Sequence, residues 1–485
     1  MTRKISSKGR RSLLALAITA LAILPVTLAP ASASAAPKSL TTGVSGLYEF
    51  DPGTLHETRA TGASFMRVVV SWAAIAPAAP PPGWNPADPA DPAYSWYDLD
   101  QAVRKVVDGG LIPFALVTEA PDWAERCPPT TTSAVCNPDP AGFAAFAHAA
   151  AARYSGRFEG LPRIQYWEPI NEPNLSLFFN PQFGGDGKPV SPQLYRDLLN
   201  GFATAVKSVD PSNLVAGGGL GPIAVPKQTI GPLKFTRDLL CMKAGKKPKP
   251  QPGNCGGGVQ FDIFDIHPYT TGGPTHEGGP TDVQLGDLDR LQAVLKAANK
   301  AKRIVKSAGG PVPLWITEFS WDTNPPDPKG LPMKIASRWV SEALYRAWSE
   351  GVDKFFWYSL RDEPSGGNYK LTLQSGLYFA PNQPKPILNA FRFPFVSYPE
   401  KKGLKFWGRT PLAAKGKVSI EILEKGKWKR VKLVSTNAFG LFRGTVKGNK
   451  YGADKKGKVR ATFGSEGSVP FAMRPVRDFY QPPFG

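Results

Sequence analysis

The sequence predicts a (β/α)8 TIM barrel followed by a small all-β, β-sandwich segment. Three observations carry that prediction. Eight short apolar runs are spaced along residues 40–395, amphipathic helical patterns lie between them, and after Phe395 the pattern changes to period-two alternation. At 485 residues the chain exceeds one ordinary domain and can bury a large core.

In chain order, the first segment is an export signal. Residues 1–11 carry five basic residues and no acidic ones, and residues 12–28 are almost wholly apolar. Ala29-Pro30-Ala31-Ser32-Ala33-Ser34-Ala35 then offers the small residues of an A-x-A cleavage site. A signal peptide over residues 1–35 and a secreted, extracellular protein are expected. Arg10-Arg11-Ser12-Leu13-Leu14 also resembles a twin-arginine signal. No later run is long and apolar enough to span a bilayer, so no membrane insertion is expected after cleavage.

The catalytic barrel is expected over residues 36–398. Its strands are predicted at 43–50, 65–72, 111–117, 164–171, 214–219, 261–267, 314–319 and 354–359, and its helices include 99–108, 141–154, 193–209, 288–307 and 336–349. Asp210-Pro211 and Gly309-Gly310-Pro311 supply stop signals after two of the helices. A doubly wound open sheet is the competing architecture, but no glycine-rich phosphate turn follows the first strand. In a barrel the chemistry sits at the C-terminal ends of the strands. The longest loops fall there too, at residues 76–95, 120–138 and 270–286.

Four cysteines in an exported chain suggest two disulfides. Three pairings are open, and Cys127 with Cys136 and Cys241 with Cys255 close the shortest loops. The first pair would stiffen a cleft wall, and the second falls between a helix and the next strand, on the opposite face. No histidine stands at ligand spacing from either pair, so no metal site is expected, and no cofactor.

Residues 401–485 alternate in Lys417-Val418-Ser419-Ile420-Glu421-Ile422-Leu423, Trp428-Lys429-Arg430-Val431-Lys432-Leu433 and Lys458-Val459-Arg460-Ala461-Thr462-Phe463, an accessory antiparallel β-sandwich. The formal net charge of +20 is concentrated here: 20 Lys and Arg stand against five Asp and Glu, and with the five basic residues of the signal set aside, residues 36–400 are balanced. A basic β surface fits an anionic cell-wall polymer or an acidic glycan, and equally a solvated surface without partner. With no recognition helix, nucleic acid is not expected as a partner. The chain is expected to be a monomer.

Two carboxylates stand out. Glu172 ends Tyr166-Trp167-Glu168-Pro169-Ile170-Asn171-Glu172-Pro173-Asn174, and Glu318 ends Pro313-Leu314-Trp315-Ile316-Thr317-Glu318-Phe319. A carboxylate leaving an apolar strand is costly to bury without partners or a task. Each could cap a helix or close a salt bridge. Two on separate strands suggest the paired acid and nucleophile that cleave glycosidic bonds.

Trp167-Glu168-Pro169-Ile170-Asn171-Glu172-Pro173-Asn174 resembles the Asn-Glu-Pro signature of glycoside hydrolase clan A, in the style of families 5 and 39, although Ile170 stands where the family 39 pattern has Trp. The resemblance covers residues 40–395 and leaves the tail out. It implies a retaining O-glycosyl hydrolase acting on β-glycosidic bonds of a polysaccharide or oligosaccharide. Glu172, at strand four, would be the general acid/base, and Glu318, at strand seven, the nucleophile. Asn171 would bond the sugar 2-hydroxyl, and Arg67 would steady the nucleophile. His267-Pro268-Tyr269 would place Tyr269 on Glu318 and His267 on the leaving-group side, and Trp357 would lie under the sugar. Glu168 is expected as a buried partner for Arg67, and Asp122-Trp123 and Asp362-Glu363 as candidate contacts to sugar hydroxyls. The alternative is a non-catalytic carbohydrate-binding or cell-surface protein on the same scaffold.

Overall fold

The computed structural model describes residues 39–46, 50–127, 133–245, 248–251, 257–270, 272–370, 372–380, 382–448, 451 and 457–473. The expected signal, residues 1–35, lies outside them. Eight strands form one parallel sheet: β1 (Thr41–Ser45), β2 (Ala63–Ser71), β3 (Ile112–Thr118), β4 (Tyr166–Pro169), β5 (Leu214–Val215), β6 (Phe264–Ile266), β7 (Leu314–Ile316) and β8 (Val352–Tyr358). Their spatial order is β5-β4-β3-β2-β1-β8-β7-β6. The two outermost strands meet through parallel bridges, Ala216 with Ile263 and Leu220 with Ile266, and Gly217 N donates to Ile263 O at 2.9 Å. The sheet thus curls back on itself, an order that a doubly wound open sheet does not have.

Among the described residues the helices of seven residues or more are α1 (Pro52–Ala60), α2 (Tyr97–Asp108), α3 (Pro140–Arg153), α4 (Ser191–Val209), α5 (Pro232–Leu239), α6 (Leu288–Lys300), α7 (Met333–Ser349) and α8 (Pro386–Arg392). Proline opens four of them and stands second in α4, where its missing N–H has no intrahelical partner to lose. Asp51 and Asp139 cap α1 and α3 by accepting from Thr54 N at 3.0 Å and Gly142 N at 2.8 Å. The helix predicted over 288–307 ends at Lys300. The β-branched pair Ile304–Val305 leaves it to pair in parallel with Val259–Gln260.

Strand parity fills the barrel. Phe65, Phe114, Tyr166, Trp315 and Phe356 gather at the N-terminal end with Ala216 and Ile263. Their rings meet edge-on or tilted, as in Phe65–Tyr166 at 5.3 Å and Phe114–Trp315 at 5.6 Å, pairs worth about 0.5–1.5 kcal/mol each beyond the area they bury. This plug closes the bottom. Two residues further along each chain, on the same inward face, come Arg67, Leu116, Glu168, Thr317, Tyr358 and, after Ile263, Asp265. The polar layer sits directly on the aromatic one.

After the barrel, β9 (Phe395–Glu400), β10 (Gly403–Arg409) and β13 (Leu441–Lys447) form one antiparallel sheet. β11 (Lys417–Glu424), β12 (Lys427–Ser435) and β14 (Lys458–Phe463) form a second. β12 is an edge strand, and its Lys427, Lys429 and Arg430 are exposed. Arg409, 1 % exposed, reaches back to β1, donating to Leu40 O at 3.1 Å and to Thr42 Oγ1 at 3.2 Å. Burial pushes its guanidinium down to about 10.

Candidate active site

The turn after β4 aims Glu172. Ile170 and Glu172 both take positive φ, 62° and 41°, a costly conformation for a β-branched residue that persists only where its surroundings hold it. Here Ile170 N donates to Val117 O at 2.8 Å and Glu172 N to Gly219 O at 2.9 Å. The Asn174 amide locks the far side, donating to Gly221 O at 3.1 Å and Ile230 O at 2.9 Å and accepting from Gly221 N at 2.8 Å. Gly219, at φ 55°, is required: a Cβ there would stand 2.4 Å from Glu168 Oε1.

Arg67 organises the floor. Its Nε donates to Glu168 Oε2 at 2.9 Å, Nη2 to Glu168 Oε1 at 2.7 Å and to Asn171 Oδ1 at 3.0 Å, and Nη1 to Glu318 Oε1. Tyr269 donates its hydroxyl to Glu318 Oε2 at 3.1 Å. The four carboxyls Glu168, Glu172, Asp265 and Glu318 thus surround one guanidinium. Burial pushes Glu172 up to about 7 against the opposing pull of Arg67, and it also raises Glu168 and Asp265. Desolvation lowers His267, the nearby anions notwithstanding.

His267 joins the two carboxylates that the sequence singles out. Its Nδ1 lies 2.9 Å from Glu172 Oε1 and 3.8 Å from Glu318 Oε2, so those two oxygens are no more than 6.7 Å apart. Its Nε2 lies 3.1 Å from Thr317 Oγ1, which lies 3.0 Å from Asp265 Oδ2. The Asp265 carboxyl stands beside that of Glu168, although its Oδ1 makes no hydrogen bond of ordinary geometry.

A cavity of about 240 Å³ opens above this floor, lined by Arg67, Asn171, Glu172, Glu318, Glu119 and Tyr358 among others. Ala134 and Phe178 form one wall. The loop after β3 is closed by the Cys127–Cys136 disulfide and joined to the loop after β4, where Ala134 N donates to Leu177 O at 3.1 Å and Asn180 N to Val135 O at 3.0 Å. Cys241 is also disulfide-bonded, and Cys255, its expected partner, lies outside the described residues.

The structure therefore brings together Glu172, Glu318, Asn171, Arg67, His267 and Tyr269, with Glu168 as the buried partner of Arg67. Trp357 does not join them. Phe356 and Tyr358 point inward, so the residue between them points out: Trp357 is 1 % exposed, donates to Ser375 O at 2.7 Å and packs on Phe391. Tyr358 is the strand-eight ring in the cavity. Asp362 is buried in an ion pair with Lys385 at 2.5 Å, Glu363 accepts from Leu373 N at 3.0 Å, and Trp123 donates to Pro77 O at 2.9 Å. The sequence reading passed over Asp265, Thr317, Tyr358 and Glu119. The first two stand two residues before His267 and two after Trp315, inward positions that parity alone identifies. No group of metal-ligating side chains occurs among the described residues.

No protein-family model matches the chain, and no curated protein matches it. Among solved structures it is similar to a family 39 glycoside hydrolase from the gut symbiont Bacteroides cellulosilyticus, with 16% identity over 84% of this chain and 79% of that one and a TM-score of 0.48. It is also similar to the family 39 enzyme of Xanthomonas axonopodis pv. citri (16% identity, 84% and 91% covered, TM-score 0.48). A family 39 β-xylosidase from Caulobacter crescentus is a third (16% identity, 85% and 94% covered, TM-score 0.49). The chemistry of the site rests on its own geometry.

Proposed function

We propose that the protein is a retaining glycoside hydrolase that cleaves β-glycosidic bonds of neutral sugars, with Glu318 as nucleophile and Glu172 as acid/base. One observation carries the reading: both carboxylates converge on His267 Nδ1, which bounds one oxygen–oxygen separation at 6.7 Å. Retaining enzymes need about 5–5.5 Å, and inverting ones about 6.5–9.5 Å, with room for a water.

The residues fit the steps. Glu318, held by Arg67 and Tyr269, attacks the anomeric carbon while Glu172 gives its proton to the leaving oxygen. Water then adds to the anomeric carbon of the glycosyl–enzyme, Glu172 takes the water's proton, and the bond to Glu318 breaks. The Asn171 carbonyl faces Arg67 Nη2, which turns its NH2 toward the cavity, where a sugar 2-hydroxyl would accept from it. Three carboxylates line the cavity (Glu119, Glu172 and Glu318) against Arg67, which is already bonded to Glu168, Glu318 and Asn171. Among the described residues that lining holds no cation besides Arg67, which favours neutral sugars.

Export from the cell, and a hold of the exposed β12 lysines on an anionic polymer, belong to the same reading. They are supported by the N-terminal sequence and the exposed basic edge.

The test is a panel of aryl β-glycosides and polysaccharides. Glu318→Gln and Glu172→Gln should each lose roughly 10²–10⁴-fold in kcat/KM. Azide should rescue Glu318→Ala and give a glycosyl azide of inverted configuration. Unchanged activity in both Gln variants would end the reading.

A further inference from the structure

The geometry points to a hydrogen-bond wire behind the acid/base, in which Asp265 sets through Thr317 the tautomer of His267 that faces Glu172. The inference rests on the glycosidase reading in one respect: Glu172 needs its proton on the oxygen turned to the cavity, Oε2.

The atoms lie in sequence. Asp265 Oδ2 is 3.0 Å from Thr317 Oγ1, Oγ1 is 3.1 Å from His267 Nε2, and Nδ1 is 2.9 Å from Glu172 Oε1. A hydroxyl and a neutral imidazole each have one hydrogen to give, so every bond in the row points the same way. If Glu172 carries its proton on Oε2, Oε1 must accept. Nδ1 then bears the hydrogen, Nε2 accepts from Thr317, and Thr317 accepts from the Asp265 carboxyl. The opposite direction sets the Nδ1 lone pair against Oε1, unless the Glu172 proton is trapped between them, away from the substrate.

Charge bears on the same row. Arg67 bonds Glu168 and Glu318, and neither Asp265 nor Glu172. Four buried carboxyls around one guanidinium cannot all ionise. Asp265 faces Arg67, Glu168 and Tyr195, and His267 faces Glu172, Glu318, Arg67 and Glu168. Burial raises Asp265, against the pull of Arg67 and the hydrogen bonds around it, and lowers His267.

The wire is a positioning device. When Glu172 passes its proton from Oε2 to the leaving oxygen, the Nδ1–H already in place donates to the new carboxylate. When water returns a proton to Oε2, the acid is restored. One proton leaves and one returns, while the hydrogens of Asp265, Thr317 and His267 stay where they are.

The chain has four histidines, His56, His148, His267 and His276, so ring 15N spectra of the 15N-histidine-labelled protein can be assigned by replacing the other three in turn. The expected result for His267 is a neutral ring with the hydrogen on Nδ1. Asp265→Asn, whose amide N–H replaces the carboxyl O–H as donor, should keep that tautomer and recover most of the roughly tenfold loss in kcat that Asp265→Ala causes. A hydrogen on Nε2, an imidazolium at pH 7, or a tautomer reversed in Asp265→Asn would overturn the wire. The spectra need no substrate, so that failure is distinct from a panel on which no glycoside is cleaved, which would remove the reading beneath it.

Discussion

Arg67 grips Glu168 with two nearly parallel hydrogen bonds, Nε to Oε2 at 2.9 Å and Nη2 to Oε1 at 2.7 Å, and both side chains are buried. Removing Glu168 takes away two of the guanidinium's hydrogen bonds and leaves Glu318 as its one remaining ion-pair partner. Glu168→Ala should therefore cost about 3–5 kcal/mol in urea unfolding, with Glu168→Gln milder because its amide oxygen still accepts. A loss below 1 kcal/mol in Glu168→Ala would mean that Glu318 alone suffices as the counter-charge of Arg67.

Glu172, pushed up to about 7, sets an activity limb. The acid step needs its proton, so kcat/KM should fall as pH rises through about 7, and substrates with poor leaving groups should show the fall most clearly. Stability follows the same sign. The unfolded carboxyl ionises near its ordinary value of 4.5 while the folded one stays neutral, so Glu172 weakens folding as pH rises from there to about 7. Glu172→Gln should be the more stable protein at pH 8, read by thermal melting.

The carboxylate-rich cavity should discriminate by charge. An aryl β-glucuronide should be cleaved at least roughly tenfold less well than the matching neutral glucoside or xyloside at pH 7, and Glu119→Gln should narrow the gap through KM. Equal kcat/KM for the two would show that a cation outside the described lining meets the acid group.

Strand eight separates packing from binding. Trp357→Ala should cost about 3–5 kcal/mol of stability by opening a cavity in the layer between sheet and helices. Tyr358→Ala should leave more of the stability and raise KM instead, since its ring lines the cavity. A Trp357 variant that folded normally but bound sugar poorly would reverse the assignment.

Reducing Cys127–Cys136 frees the wall that carries Ala134. The short loop it closes makes the bond worth about 2–3 kcal/mol by loop entropy. Cys136→Ser should raise KM more than it lowers kcat, measured with the best aryl glycoside of the panel.

Much of this architecture was legible in the sequence because buried parallel strands are apolar runs, and these were interrupted by charge at Arg67, Glu168, Glu172 and Glu318. Helices opened by proline and only seven to nine residues long, α1, α5 and α8, were passed over: each has too few turns for an apolar stripe to repeat. Trp357 was misassigned because its place in the series was weighed without the parity that turns it outward. Thr317 and Asp265 were missed for a different reason. Threonine and aspartate in a strand have ordinary uses; parity turns both inward, and the fold then sets them in line with His267.

Arg409 closes a span of 367 residues when it donates to Thr42 in β1. The segment that contains β1 leaves the ribosome early, yet the donor that satisfies the Leu40 carbonyl is made only after all eight barrel strands. The first strand pairs with β2 and β8 before that donor exists, and a nascent chain stopped short of β10 would hold a barrel whose opening strand lacks this clasp at Leu40 and Thr42. The basic tail is thus a latch on the beginning of the chain, and shortening the gene from its 3′ end is not a neutral way to isolate the barrel.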